Sequence, residues 1–64
     1  MDIKYMRMGN ILNSKNEIIG TLDRVRFTDN NRVYYDLNTR NVGIAFESVS
    51  KLNEYLDKFN YRWV

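Results

Sequence analysis

The sequence predicts an α+β domain: a four-stranded antiparallel β-meander with one C-terminal α-helix packed on one face. Three observations carry that prediction. Apolar and polar residues alternate along much of residues 3–47, the period of half-buried strands. Polar clusters rich in asparagine interrupt the alternation at Ser14-Lys15-Asn16, Asp29-Asn30-Asn31 and Asn38-Thr39-Arg40-Asn41. After Glu47 the period becomes helical, with Val49, Leu52, Tyr55, Leu56 and Phe59 on one stripe.

The first hairpin is expected to turn at Ser14-Lys15-Asn16, ending on an Asn that tolerates a left-handed backbone. Its expected pairs are Ile3 with Phe27, Tyr5 with Val25, Arg7 with Asp23 and Ile11 with Ile19. Met8 with Leu22 and Leu12 with Ile18 fall on the other side. Gly9 and Gly20 mark a place where the hairpin can bend or bulge.

In the second hairpin, a three-residue loop at Asp29-Asn30-Asn31 sets Phe27 opposite Val33 and Val25 opposite Tyr35. On the reverse side it sets Arg26 opposite Tyr34 and Arg24 opposite Asp36, so every cross-strand pair is favourable. The third hairpin is expected to pair Leu37 with Val42, Tyr35 with Ile44 and Val33 with Phe46. Its outer pairs are then Asp36–Gly43, Tyr34–Ala45 and Arg32–Glu47.

The helix is expected over Val49–Phe59, capped by Ser48 or Ser50 and stopped at Asn60. Glu54 and Lys58 stand four apart in the order that supports a helix by ~0.2–0.5 kcal/mol. The tail Tyr61-Arg62-Trp63-Val64 alternates, consistent with a short strand or a tuck of Trp63 against the core.

Sixty-four residues make one domain, near the lower limit for a self-supporting core. Such a core supplies only ~3–5 kcal/mol, and with no cysteine there is no disulfide to add to it. Asp2, Lys4 and Arg7 interrupt the N-terminal residues, so no signal peptide or membrane-spanning stretch is read, and a cytoplasmic location is expected. The abundance of Asn, Lys, Ile and Tyr resembles the output of an AT-rich genome, as in many bacteria and phages. A net charge of +2 is too small to argue for nucleic acid by itself.

The search for chemistry finds little. The absence of His and Cys removes the commonest general bases, thiol nucleophiles and transition-metal ligands. The carboxylates are dispersed without calcium-loop spacing, and the three glycines form no phosphate loop. No catalytic residue, cofactor or metal is therefore assigned, and the chain is not expected to be an enzyme.

Two surface constellations remain. With the expected registers, the helix covers Ile3, Tyr5, Val25, Phe27, Val33, Tyr35, Leu37, Val42, Ile44 and Phe46. Met6, Met8, Leu12, Ile18 and Leu22 are then left on the opposite face. That surplus reads as a protein interface, with Met8 and Leu22 as its anchors, or as a second small core wrapped at the glycines. The other constellation is Arg24, Arg26, Arg32 and Tyr34, an Arg/Tyr sheet face able to stack a base and hold phosphate. Its plainer reading is a solvated face, with Arg24 paired to Asp36, Arg32 to Glu47, and Arg26 stacked on Tyr34.

The function expected from the sequence is thus a non-catalytic protein-binding module: an adaptor, an inhibitor or a homo-oligomer. On that view Met8→Lys or Leu22→Lys abolishes association and leaves the fold intact. Binding of single-stranded nucleic acid or a nucleotide through the Arg/Tyr face is the second reading. The free edge of the first strand can also accept a partner strand.

Overall fold

A computed structural model describes residues 2–64. It is a five-stranded antiparallel sheet in the order β4-β3-β2-β1-β5, with β1 Ile3–Leu12, β2 Ile18–Phe27, β3 Val33–Thr39, β4 Gly43–Phe46 and β5 Arg62–Trp63. The helix α1, Val49–Phe59, lies between β4 and β5 in the chain. The α+β meander read from the sequence is therefore present, and the tail forms the short fifth strand.

Each loop shows how local chemistry sets the pairing. In the first hairpin, Asn13 N–H donates to Glu17 O at 3.0 Å across the loop 14–16, and Asn16 takes φ 64°. The Asn13 side chain accepts from Lys15 N–H and Glu17 N–H, closing the turn. Both the three-residue loop and its left-handed asparagine match expectation. The second hairpin differs. Phe27 N–H donates to Arg32 O at 2.9 Å, so the loop is 28–31, one residue longer than expected. Asn31, the last loop residue, takes the left-handed conformation, at φ 58°.

That extra residue slips β3 against β2 by one position. Val25 faces Tyr34, Arg24 faces Tyr35, and Leu22 faces Leu37. A slip of one moves every side chain of one strand to the other face relative to its neighbour. The β1–β2 hairpin is consequently inverted with respect to β3 and β4. Val33, Tyr35, Leu37, Ile44 and Phe46 stay on the helix side, where they were expected. Ile3, Tyr5, Val25 and Phe27 move to the opposite face, and Leu22 comes under the helix.

The third hairpin is shifted by two positions, which preserves faces. Its loop is Arg40-Asn41, closed by Thr39 N–H to Val42 O at 2.8 Å, and it pairs Leu37 with Ile44 and Tyr35 with Phe46.

Within the first hairpin, Ile3–Phe27, Tyr5–Val25, Arg7–Asp23 and Leu12–Ile18 pair as expected. Two irregularities replace the other expected pairs. Arg7 faces Asp23 and Gly9 faces Leu22, leaving Met8 as an extra residue on β1. Ile11 faces Gly20 and Leu12 faces Ile18, leaving Ile19 extra on β2. Both extra residues pack against the core, as bulged positions that re-aim a side chain often do.

The core is Ile11, Leu22, Leu37, Leu52 and Leu56, all nearly or fully buried. Ser48 caps the helix by accepting from Lys51 N–H at 3.2 Å. Asn60 ends it in the left-handed conformation, φ 57°, while Tyr61 N–H returns to Leu56 O at 2.8 Å. An 11-residue helix is about 16 Å long, whereas a 10-residue strand runs about 33 Å. The helix can therefore roof only part of the first hairpin, in a molecule of 39 × 20 × 18 Å.

The tail closes over Gly9. Asn10 and Val64 exchange two backbone hydrogen bonds, at 2.9 and 3.0 Å, and Ile11 faces Trp63. A Cβ on Gly9 would collide with Val64 O and lie 3.2 Å from Trp63 Cε3. Trp63 is thus partly sheltered over a glycine, 38% exposed.

Candidate functional site

The inverted hairpin redistributes the residues singled out in the sequence. Leu22 is fully buried at the centre of the core, Leu12 is 7% exposed, and Met8 packs against the core. Leu22 and Met8 leave the expected interface because the slipped register and the bulge turn them toward the helix, and Leu12 leaves it because it is buried. Met6 and Ile18 stay outside, 55% and 67% exposed. They do not form a patch with each other: Met6 faces Arg24, while Ile18 lies at the far end of the hairpin.

The face away from the helix carries a different apolar set. Tyr5, Val25, Phe27, Tyr34, Asp36 and Ala45 line an open depression of about 300 Å³. Val25 forms its floor, buried between neighbours on both sides. Phe27 and Tyr34 form its wall, edge to face with ring centroids 5.5 Å apart. Tyr5 is 66% exposed and Ile3 beside it 41%, with no element of the described residues laid over them.

Charge on this face is internally settled. Asp23 faces Asp36, a like-charge pair that costs stability unless relieved. Arg7 relieves it, with Nε 2.5 Å from Asp23 Oδ1, and Asn38 donates its amide to Asp36. Arg32 lies beside Tyr34 and Glu47 along the same margin. Tyr34, by hydrogen bonding and charge, and more weakly Glu47 raise the Arg32 pKa above its ordinary value. The guanidinium is charged at every accessible pH in either case.

The helix-side face beyond the roof has the opposite character. Lys4 faces Arg26 and Met6 faces Arg24. Together with Tyr5 they line a second depression of about 350 Å³. The expected partners of these arginines, Asp36 and Tyr34, stand on the other side of the sheet, because the register is slipped by one. Arg24 faces Tyr35 and Arg26 faces Val33 instead. Among the described residues, Lys4, Arg24 and Arg26 have no side-chain hydrogen bond or ion pair. Arg24 and Arg26 are also separated from Arg32 and Tyr34, so the four do not form one platform.

Two further features were not legible from the residues alone. Tyr5 borders both depressions, one on each side of the sheet. An aromatic string, Phe46–Tyr55–Phe59–Tyr61, runs along the helix with neighbouring centroids 4.8–5.6 Å apart. Its helical period was visible, but the cross-element contacts with Phe46 and Tyr61 depend on the third register and on the left-handed stop at Asn60.

Among the described residues no group of three or more carboxylates gathers in a way that could hold a metal ion. No helix among them is long and apolar enough to cross a membrane. No protein-family model, curated protein or solved structure matches the chain.

Proposed function

We propose that the chain is a non-catalytic protein-binding module, and that its partner inserts apolar side chains into the depression of Tyr5, Val25, Phe27, Tyr34 and Ala45. The observation that supports this reading is the uncovered aromatic wall over a buried valine floor on an otherwise charge-settled face. In a domain with so little core, aromatic surface left in water is a cost that an interface recovers. Aromatic anchors in a desolvated pocket commonly carry most of the energy of an interface.

A nucleic-acid reading has one point in its favour: Tyr5, Phe27 and Tyr34 share the open face, as stacking residues on a sheet platform do. The carboxylates Asp23 and Asp36 on that face oppose a phosphate backbone, and Lys4, Arg24 and Arg26 lie on the reverse side. Protein binding is therefore the better-supported reading.

The test is to pan a random-peptide display library against the immobilised protein and to repeat the binding with Ala45→Arg. Ala45 is exposed on the rim, so the added side chain blocks the depression without entering the core. Peptides rich in aromatic or aliphatic residues should be recovered and should fail to bind the variant. Recovery of no such peptide would refute the reading. So would tight, salt-sensitive binding of a labelled single-stranded oligonucleotide that Ala45→Arg abolishes.

A further inference from the structure

The open edge of β1 and the unpaired cations beside it point to the kind of segment that would dock there. Thr28 N–H donates to Asp2 O, and Phe27 N–H donates outward from β2 to Arg32 O. Backbone groups alternate sides along a strand, so the N–H and C=O of Ile3, Tyr5 and Arg7 point away from β2. β5 pairs with β1 only around Asn10, Ile11 and Leu12. The first half of β1 is thus a strand edge with its hydrogen-bonding groups open.

The side chains along that edge differ by face. Ile3 and Tyr5 turn to the face of the aromatic depression, which Tyr5 lines. Lys4 and Met6 turn to the other face, where Arg26 and Arg24 stand directly across. Lys4 against Arg26 is a like-charge cross-strand pair, which costs stability when nothing neutralises it. The sheet's other like-charge pair, Asp23 against Asp36, has Arg7 and Asn38 to relieve it. The Lys4–Arg26 pair has no acidic partner among the described residues. An unneutralised cationic cluster around the exposed thioether of Met6 is complementary to an anionic segment with some apolar character.

We propose that the β1 edge at residues 3–7 accepts an extended acidic segment of a partner protein as an added strand. Acidic side chains of that segment lie over Lys4, Arg24 and Arg26, and apolar ones alternate with them beside Ile3 and Tyr5. Main-chain bonds to Ile3, Tyr5 and Arg7 supply affinity, and the alternating faces supply specificity. A lysine on an exposed edge ordinarily discourages strand pairing. Here it selects the charge of the incoming strand. A second copy of the chain is disfavoured, since antiparallel pairing of two β1 edges would bring both cationic clusters together. The proposal rests on the binding-module reading and names the chemistry of its partner.

The test uses a short capped peptide alternating glutamate with valine, and a matched peptide alternating lysine with valine. Both are titrated into the isotope-labelled full chain at low and moderate salt. The expected result is binding of the glutamate peptide alone, weakening with salt, with the amides of Ile3, Tyr5 and Arg7 protected from exchange. Arg26→Glu, at an exposed position, should weaken that binding by about tenfold or more. Lys51→Glu, the same change of charge at an exposed helix position, should leave it largely unchanged. Absence of binding, equal binding of the lysine peptide, or dimerisation through β1 would each overturn the proposal. Perturbation confined to Tyr34 and Ala45 would also overturn it, while leaving the aromatic depression as a docking site.

Discussion

Gly9→Ala should detach the C-terminal strand, and its cost can be worked from the contacts at that position. A methyl group on residue 9 cannot coexist with Val64 O, a backbone atom that moves only if β5 moves. Lifting β5 breaks the two hydrogen bonds between Asn10 and Val64, about 2 kcal/mol together at a net ~1 kcal/mol each. It also frees Trp63 from its place over the glycine. Re-exposing ~100 Å² of apolar surface adds about 2.5 kcal/mol. Against this, alanine restricts the unfolded chain more than glycine and returns ~0.4–1 kcal/mol. The net loss is about 3.5–4 kcal/mol, similar to the whole stability expected of such a core. Urea unfolding followed by far-ultraviolet circular dichroism measures it, and the emission of the single tryptophan reports separately on the tail. In a Trp63→Ala background, where β5 is already loosened, Gly9→Ala should cost much less. An equal cost in both backgrounds would refute the account, as would a loss below ~0.5 kcal/mol in the native chain.

Three more outcomes follow from the same structure. Leu22→Ala should lose ~2–5 kcal/mol by leaving a cavity among Ile11, Leu37, Leu52 and Leu56, and Leu22→Lys should fail to fold, both read by circular dichroism. A well-folded Leu22→Lys variant would restore the surface role expected from the sequence. Ser48→Ala should cost ~1 kcal/mol in a urea titration, because Lys51 N–H loses its acceptor. Asn60→Ala should cost ~1 kcal/mol and Asn60→Gly little or nothing, since φ 57° penalises a Cβ that lacks the asparagine side chain's local compensation. Equal melting temperatures for the two variants would show that the left-handed stop is not under strain.

The elements themselves were legible in the sequence because their signals are local. The bounds of the helix follow from one apolar stripe, a serine before it and an asparagine after it. The left-handed asparagines at residues 16 and 31 follow from polar loops without glycine. The faces were not legible, because they depend on one loop residue. With Thr28 counted in the strand, the second hairpin gave only favourable pairs, so pairing offered no warning. The misplacement showed up elsewhere, as five apolar residues with nothing to cover them. With Thr28 in the loop, Leu22 goes beneath the helix, Met8 packs there from a bulge, and Tyr5 and Phe27 come out. The candidate site was therefore half visible: an uncovered apolar face was foreseen, but its residues were those of the opposite side. The unpaired state of Arg24 and Arg26 has the same origin, since only the wrong register gave them partners.

The direction in which β5 runs has a practical consequence. Val64 lies opposite Asn10 in an antiparallel pair, so any residues attached after it start along β1 toward Met8 and Met6. A fused segment there is tethered beside the open edge at an effective concentration in the ~mM range. If it is extended and acidic, as several epitope tags are, it occupies the edge intramolecularly and masks a free peptide of modest affinity. A tag placed ahead of Ile3 must first reverse direction to lie along the same edge. Comparing the two fusions in one titration would expose a masked site as a difference between proteins that share every residue of the domain.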